Sequence, residues 1–151
     1  MLLYRIGKCR FIDDTSGQGA ALYGGRWNSV GTNVLYTSTS AALAMLEALV
    51  NLPNLKIKDP YCLLVLEVPE NSITEISIKD LPAEWNTLPA PQMLQYLGDD
   101  FCKEGRYLLL KVPSAVLRMD NNYLINPVHK DFKKIKVLQK ETIQFDKRLM
   151  K

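Results

Sequence analysis

The sequence is poor in the residue that most often moves protons and binds metals: its 151 residues hold one histidine, His129. That removes most histidine-based zinc sites, so no metal is expected, and any cysteine–histidine or serine–histidine pair would depend on that residue. Cysteine is also scarce. Cys9, Cys62 and Cys102 form no CxxC pair, and three cannot all pair within one chain. Cys62 lies in an apolar run and reads as a buried thiol, and the pattern points to a reducing compartment. No run reaches the ~18 consecutive apolar residues of a membrane span, and the N-terminal MLLYRIGKCR is too short in apolar residues for a signal peptide. A soluble, cytoplasmic protein is expected. The net charge of +3 is too mild to argue for nucleic acid. The one concentration of positive charge, KDFKKIK at 130–136, reads as a solvated face rather than a phosphate-binding stripe. No repeat, low-complexity tract or linker divides the chain, which is long enough to bury a core as one domain over residues 1–151.

What is present is a mixture of periods. LLYRIG at 2–7, VLYTS at 34–38, YCLLVLEVP at 61–69, SITEISI at 72–78, YLLLKVP at 107–113 and IKVLQKETIQF at 135–145 read as strands, the last edge-like and YLLLKVP apolar enough to be central. AALAMLEALVNL reads as a helix capped by Ser38, Thr39 or Ser40 and stopped near Pro53, and the stretch from Pro89 to about Glu104 has helical spacing. Residues 13–32 read as loop, and NNYLINP at 121–127 is punctuated by asparagines and a proline. Strands at both ends, with helices between and no regular βαβ alternation, predict an α+β fold: a mixed or antiparallel sheet with flanking helices.

Two features are not ordinary core. From Trp27 to Leu55 the only charged side chain is Glu47, whose helical neighbours Leu43, Ala44, Val50 and Asn51 are mostly apolar. It either snorkels to solvent at the helix rim or sits dry and requires a partner. The nearest charged partner in sequence is Arg26, in the stretch YGGRWNSVG at 23–31, with the strand containing Tyr36 between them. A guanidinium flanked by glycines suits a phosphate or carboxylate ligand, although for the glycines alone a tight turn is the commoner reading, and it is the combination with Glu47 that raises GGRW. Late in the chain Ser114 follows a strand that ends in proline, where capping a turn is the plain reading. Asn126 before Pro127 also favours a turn, and nothing local marks His129 as a base.

Taken in order, these residues resemble the RES domain, the toxin half of the RES–Xre type bacterial toxin–antitoxin pairs. The matches are Tyr4-Arg5, Gly24-Gly25-Arg26-Trp27-Asn28, Tyr36, Glu47, Pro113-Ser114, Asn126-Pro127 with His129, and the closing FDKRL. They span nearly the whole chain, and residues 70–105 are the least diagnostic. The resemblance implies a fold related to ADP-ribosyltransferases and action on NAD+ as substrate, with no further cofactor. Nicotinamide would be released to water or phosphate as acceptor. It also implies an Xre-like helix-turn-helix antitoxin as partner, which would carry the DNA contact, and a homodimer of the toxin within the toxin–antitoxin complex.

That chemistry fits the residues. Nicotinamide is already cationic in NAD+ and leaves as a neutral base, so the usual pair of glycosidase carboxylates is not required. Glu47 is assigned to a ribose hydroxyl and the oxocarbenium-like transition state. Arg5 and Arg26 are assigned to the pyrophosphate or to orienting Glu47, and Tyr36 to the nicotinamide ring. Ser114 is assigned to the carboxamide or ribose. Gly25, Trp27, Asn28 and Asn126 are expected to form the binding surface, with Trp27 packing the loop down. The alternatives are a protein ADP-ribosyltransferase using the same pocket and a non-catalytic nucleotide-binding or interaction module with a structural Glu47. A ribonuclease toxin ranks last, because it would want a basic groove and a general base.

Overall fold

The computed structural model describes residues 1–52 and 58–150. In chain order the elements are β1 (Leu2–Lys8), α1 (Gln18–Tyr23), β2 (Leu35–Ser38), α2 (Ala41–Val50), β3 (Tyr61–Glu67), β4 (Ile73–Glu75), α3 (Gln92–Glu104), β5 (Leu109–Pro113), β6 (Asn121–Ile125) and β7 (Lys136–Ile143). All seven strands join one sheet in the order β4-β5-β6-β2-β1-β3-β7. Only β4 and β5 run parallel, and the other neighbours are antiparallel. The predicted α+β class with a mixed sheet is the fold observed.

Alternation along the strands splits the core in two. Leu109, Tyr123 and Ile125 belong to one buried cluster with Leu3, Leu35, Leu64 and Leu66. Their chain neighbours Leu110 and Leu124 belong to a second, with Trp27, Val34, Trp85, Leu94, Phe101 and Val112. Adjacent residues of a strand point to opposite faces, so the two clusters lie on the two sides of the sheet. Helix α3 covers the second face through Leu94 and Phe101, and α2 packs against β1 and β2.

Several local expectations change. The stretch read as loop contains α1, which shows no side-chain cap and runs six residues between Gly17 and Gly24, too short for a helical period to emerge. SITEISI forms a strand only over Ile73–Glu75; beyond it Ile76 and Ile78 pack toward the second cluster and Ile78–Asp80 closes a 3-10 turn. NNYLI is an interior strand between β5 and β2 despite its asparagines. YLLLKVP is interior, one strand from the edge, and β7 is the edge strand expected. Ser40 is the residue that caps α2, accepting from the Leu43 N–H at 3.0 Å; Pro53, its expected stop, lies outside the described residues.

The reading of Cys62 as a thiol is corrected. Cys62 is buried, but it is bonded to Cys9. They are 53 residues apart in sequence, yet β1 and β3 pair Gly7 with Cys62, and the Cα atoms of the two cysteines stand 4.9 Å apart, within reach of a disulfide. Short-range spacing is blind to contacts made by strand pairing, and the cysteine argument for a reducing compartment falls with it. Among the described residues no helix is long and apolar enough to cross a membrane.

Helix α3 and the Trp27 backbone approach closely at Gly98, where a Cβ would sit 1.6 Å from the Trp27 carbonyl oxygen. Gly98→Ala is expected to cost about 1–3 kcal/mol through displacement of α3. Gly19→Ala in α1, where a Cβ meets nothing within 4 Å, is expected to be neutral or stabilising by up to about 1 kcal/mol. Thermal melts of the two variants beside wild type check the contrast; equal midpoints would refute the packing argument.

Candidate active site

The site forms where the sheet comes apart. Strand β1 matches all seven of its residues to β3, but its register with β2 consists of the single pair Tyr4–Ser38. Beyond that pair β2 stays with β6 and β1 stays with β3. A cavity of about 330 Å³ lies in this seam, lined by consecutive residues of both strands, Tyr4 to Lys8 and Tyr36 to Ser38. Its wall is completed by Ala44, Glu47 and Ala48 of α2 and by Asn51 that caps the helix, with Tyr61 and Asn122.

Glu47 is partly exposed toward this space. Its Oε1 accepts from the Ser114 hydroxyl at 2.7 Å and from the Asn122 amide at 2.6 Å. No described residue hydrogen-bonds Oε2, and Glu47 makes no ion pair among the described residues. The carboxylate is thus partly exposed and paired with no cation among the described residues. Neutral donors hold one oxygen, and the other is left to a ligand.

Arg5 lines the same cavity, and its buried Nε has no hydrogen-bond partner among the described residues. Burial pushes the guanidinium pKa below its usual value, which the field of Asp14 partly offsets. An arginine remains charged under these conditions, so a cation whose Nε is shielded and unpaired among the described residues belongs to the cavity lining that also holds Glu47.

Tyr36 plays a double part. It lines the cavity, while its hydroxyl donates to Asn28 Oδ1 at 2.6 Å and accepts from the Trp27 N–H at 3.1 Å. Burial drives the phenol pKa up, the Trp27 N–H working against it, so the proton needed for the Asn28 bond stays in place at neutral pH. Asn28 is itself buried and its amide donates to the carbonyls of Ala20, Ser29 and Thr32. Gly25 is required because a Cβ there would lie 2.7 Å from the Tyr36 hydroxyl and 2.9 Å from Asn28 Oδ1. Gln95 of α3 donates to the Gly25 and Asn28 carbonyls. Gly25, Trp27 and Asn28 therefore build the frame that holds Tyr36; none of them lines the cavity.

The remaining expected residues separate further. Arg26 does not line the cavity. Its Nη1 donates to the carbonyls of Trp85 at 2.8 Å and Thr87 at 2.9 Å, tying down the segment before α3. Burial lowers its pKa, and the charge of Glu47 works in the opposite direction. Ser114 is fully buried; its Oγ donates to Glu47 and accepts the N–H groups of Val116 and Leu117, so it caps a turn and holds the carboxylate together. Asn126 is buried elsewhere, donating to the Cys102 carbonyl and accepting the Val128 N–H. It lines a larger groove of about 900 Å³ with Asp13, Asp14, Asp99 and Phe132, and that groove contains neither Glu47, Arg5 nor Tyr36. His129 accepts the Asp131 N–H through Nδ1 and caps a 3-10 turn. The residues that sequence reasoning missed are Asn122 and, as its partner, Ser38, whose hydroxyl donates to Asn122 Oδ1 at 2.7 Å. An asparagine beside other asparagines carries no local mark of such a contact.

Tyr36→Phe keeps the ring at the cavity and strands the Trp27 N–H and Asn28 Oδ1. A loss of about 1–3 kcal/mol of stability is expected, read as a lower urea midpoint; an unchanged midpoint would mean the hydroxyl does not hold the loop.

The comparisons follow the same elements. The family model described as RES domain matches residues 2–146. A protein named Toxin Res from Photorhabdus laumondii subsp. laumondii is 35% identical over 153 residues, covering 100% of this chain and 98% of its own length. Prs ADP-ribosylating toxin from Sphingobium sp. (strain YBL2) is 35% identical over 142 residues, covering 92% and 88%. Among solved structures, a chain in the crystal structure of the M. tuberculosis MbcT–MbcA toxin–antitoxin complex superposes with a TM-score of 0.78 over 95% of this chain and 84% of that one. At 18% identity that likeness speaks for the fold. The family match runs from β1 through the last strand, and with it this chain belongs to the RES domain family.

Proposed function

We propose that this protein is a toxin that consumes NAD+ by breaking the bond between nicotinamide and ribose, and that a cognate antitoxin restrains it. The observation that carries the reading is Glu47. One carboxylate oxygen is fixed by Ser114 and Asn122, and the other is unpartnered at the wall of a cavity that also presents Arg5 and Tyr36. A volume near 330 Å³ is at the lower end of small-molecule sites, which span ~300–1,000 Å³. It suits the nicotinamide–ribose end of the dinucleotide better than the whole.

In the reaction the C1′–N bond breaks and its electron pair leaves with nicotinamide, which needs no proton to depart. The free oxygen of Glu47 accepts from a ribose hydroxyl and stabilises the positive charge that builds on the sugar. The Tyr36 ring lies against the cationic nicotinamide. The Arg5 guanidinium, one of the residues lining the cavity, takes the pyrophosphate. Arg26, engaged with Trp85 and Thr87, supports the loop and contributes only through its field. Water or inorganic phosphate then bonds to C1′; water loses a proton as it does so. NAD+ is a substrate here, and no separate cofactor is needed.

A second reading has one observation in its favour: a relative at 35% identity is named an ADP-ribosylating toxin. In that case a protein side chain replaces water or phosphate at C1′, and the same residues serve. The partner proposed is an Xre-like helix-turn-helix antitoxin, in a cytoplasmic complex that holds the toxin as a homodimer. The solved chain of the same fold comes from a toxin–antitoxin complex, which supports a protein partner.

The test is to incubate the purified protein with NAD+, with and without inorganic phosphate, beside Glu47→Gln, and to follow nicotinamide and the ribosyl product. Wild type is expected to release nicotinamide, and Glu47→Gln to slow release by about 10²–10³-fold. The ribosyl product identifies the acceptor, and label retained on protein would favour the second reading. Folded wild type that neither releases nicotinamide nor transfers label would sink both.

A further inference from the structure

Asn122 makes the shorter of the two hydrogen bonds to Glu47, and neither the family match nor any relative's name gives it a role. We propose that Asn122, locked in orientation by Ser38, is a positioning residue that sets the carboxylate of Glu47. This rests on the reading of Glu47 given above. The argument is one of hydrogen-bond polarity. An asparagine amide has an accepting and a donating end that exchange on rotation by half a turn. Here the Ser38 hydroxyl reaches Asn122 Oδ1 at 2.7 Å while Nδ2 reaches Glu47 Oε1 at 2.6 Å. A flipped amide would set a carbonyl oxygen against a carboxylate oxygen, and a carboxylate has no proton to give. The Ser38 hydroxyl stabilises the productive orientation by donating to Oδ1.

Ser114 is locked in the same sense. Its oxygen already accepts from Val116 and Leu117 at 3.1 Å each, so its proton has Glu47 as its outlet. Oε1 is thus fixed by two donors that approach from β6 and from the turn after β5, and the direction of Oε2 is set by the pair. The strand register makes this possible: β2 and β6 pair Ser38 directly with Asn122, next to the Tyr4–Ser38 pair at the mouth of the seam. The charged groups around Glu47 are Arg26 from the loop and Arg5 and Lys8 of the cavity lining, and no described residue forms an ion pair with the carboxylate that would do the positioning instead.

The experiment measures nicotinamide release by wild type, Asn122→Ala, Asn122→Asp and Ser38→Ala across pH, with melting curves to establish that each is folded. Asn122→Ala is expected to lower kcat by about 10–100-fold, the range seen when a partner that orients an active-site ligand is removed, with KM little changed. Ser38→Ala is expected to fall in the same direction by less. Asn122→Asp separates positioning from a general structural defect. Two carboxyls this close share a proton, and one apparent pKa rises. Below it the introduced carboxyl donates to Glu47 as the amide did; above it both are ionised and repel. Its activity relative to wild type should therefore fall as pH rises, while the ratio for Asn122→Ala stays flat. Folded Asn122→Ala with wild-type kcat, or an Asn122→Asp ratio that is the same at every pH, overturns the assignment. If wild type itself releases no nicotinamide, the reading of Glu47 fails and this inference with it. If wild type is active and the Asn122 variants match it, only the inference fails.

Discussion

A β-sheet closes through its backbone, each strand satisfying the next, and this sheet stops doing so at one boundary. Strands β1 and β2 share the Tyr4–Ser38 pair and then part. That parting creates the cavity, because residues that would otherwise face each other across a ladder face open space. It also fixes what the cavity contains. Arg5 follows Tyr4 directly, Tyr36 lies two residues before Ser38, and Glu47 hangs from the helix that begins three residues after Ser38. Every group assigned to the reaction is within a few residues or one helix of the last shared pair.

Among the described residues no ion pair joins Glu47 to Arg5 or Arg26. A buried carboxylate paired with a guanidinium would be well compensated and chemically spent. Here Glu47 is held by neutral donors, Arg5 keeps an unused nitrogen, and the Nη1 of Arg26 is engaged by carbonyls rather than by Glu47. Burying the Arg5 guanidinium costs desolvation energy. The proposed substrate, with a cationic base and an anionic pyrophosphate, would offer a partner to each of the two charges.

Much of this was legible in the sequence, for reasons that can be named. Glu47 stood out because a single charge in an apolar helix violates amphipathic patterning, and the strands announced themselves by β-branched and apolar runs. Tyr36 and Arg5 were reached through the family pattern. What stayed hidden was created by pairing between distant segments. Asn122 meets Glu47 across 75 positions, the Cys9–Cys62 bond spans 53, and the parting of β1 from β2 is a property of register that neither strand displays alone. Helix α1 was hidden for a different reason: six residues between two glycines carry too little periodicity to register.

The loop YGGRWNSVG shows why a motif that suits a ligand need not be a contact surface. It reads as ligand-facing because glycine beside arginine suits an anion, yet its demands are met inside the protein. Gly25 makes room for the Tyr36 hydroxyl, Asn28 accepts that hydroxyl's proton, the Trp27 backbone rests on Gly98, and Arg26 braces the segment before α3. A methyl group at Gly25 or Gly98 would meet another atom at well under contact distance. The motif therefore acts on the reaction at one remove. It fixes the tyrosine whose ring forms the wall of the seam, leaving the opening between β1 and β2 to be filled by Arg5, Glu47 and whatever they bind.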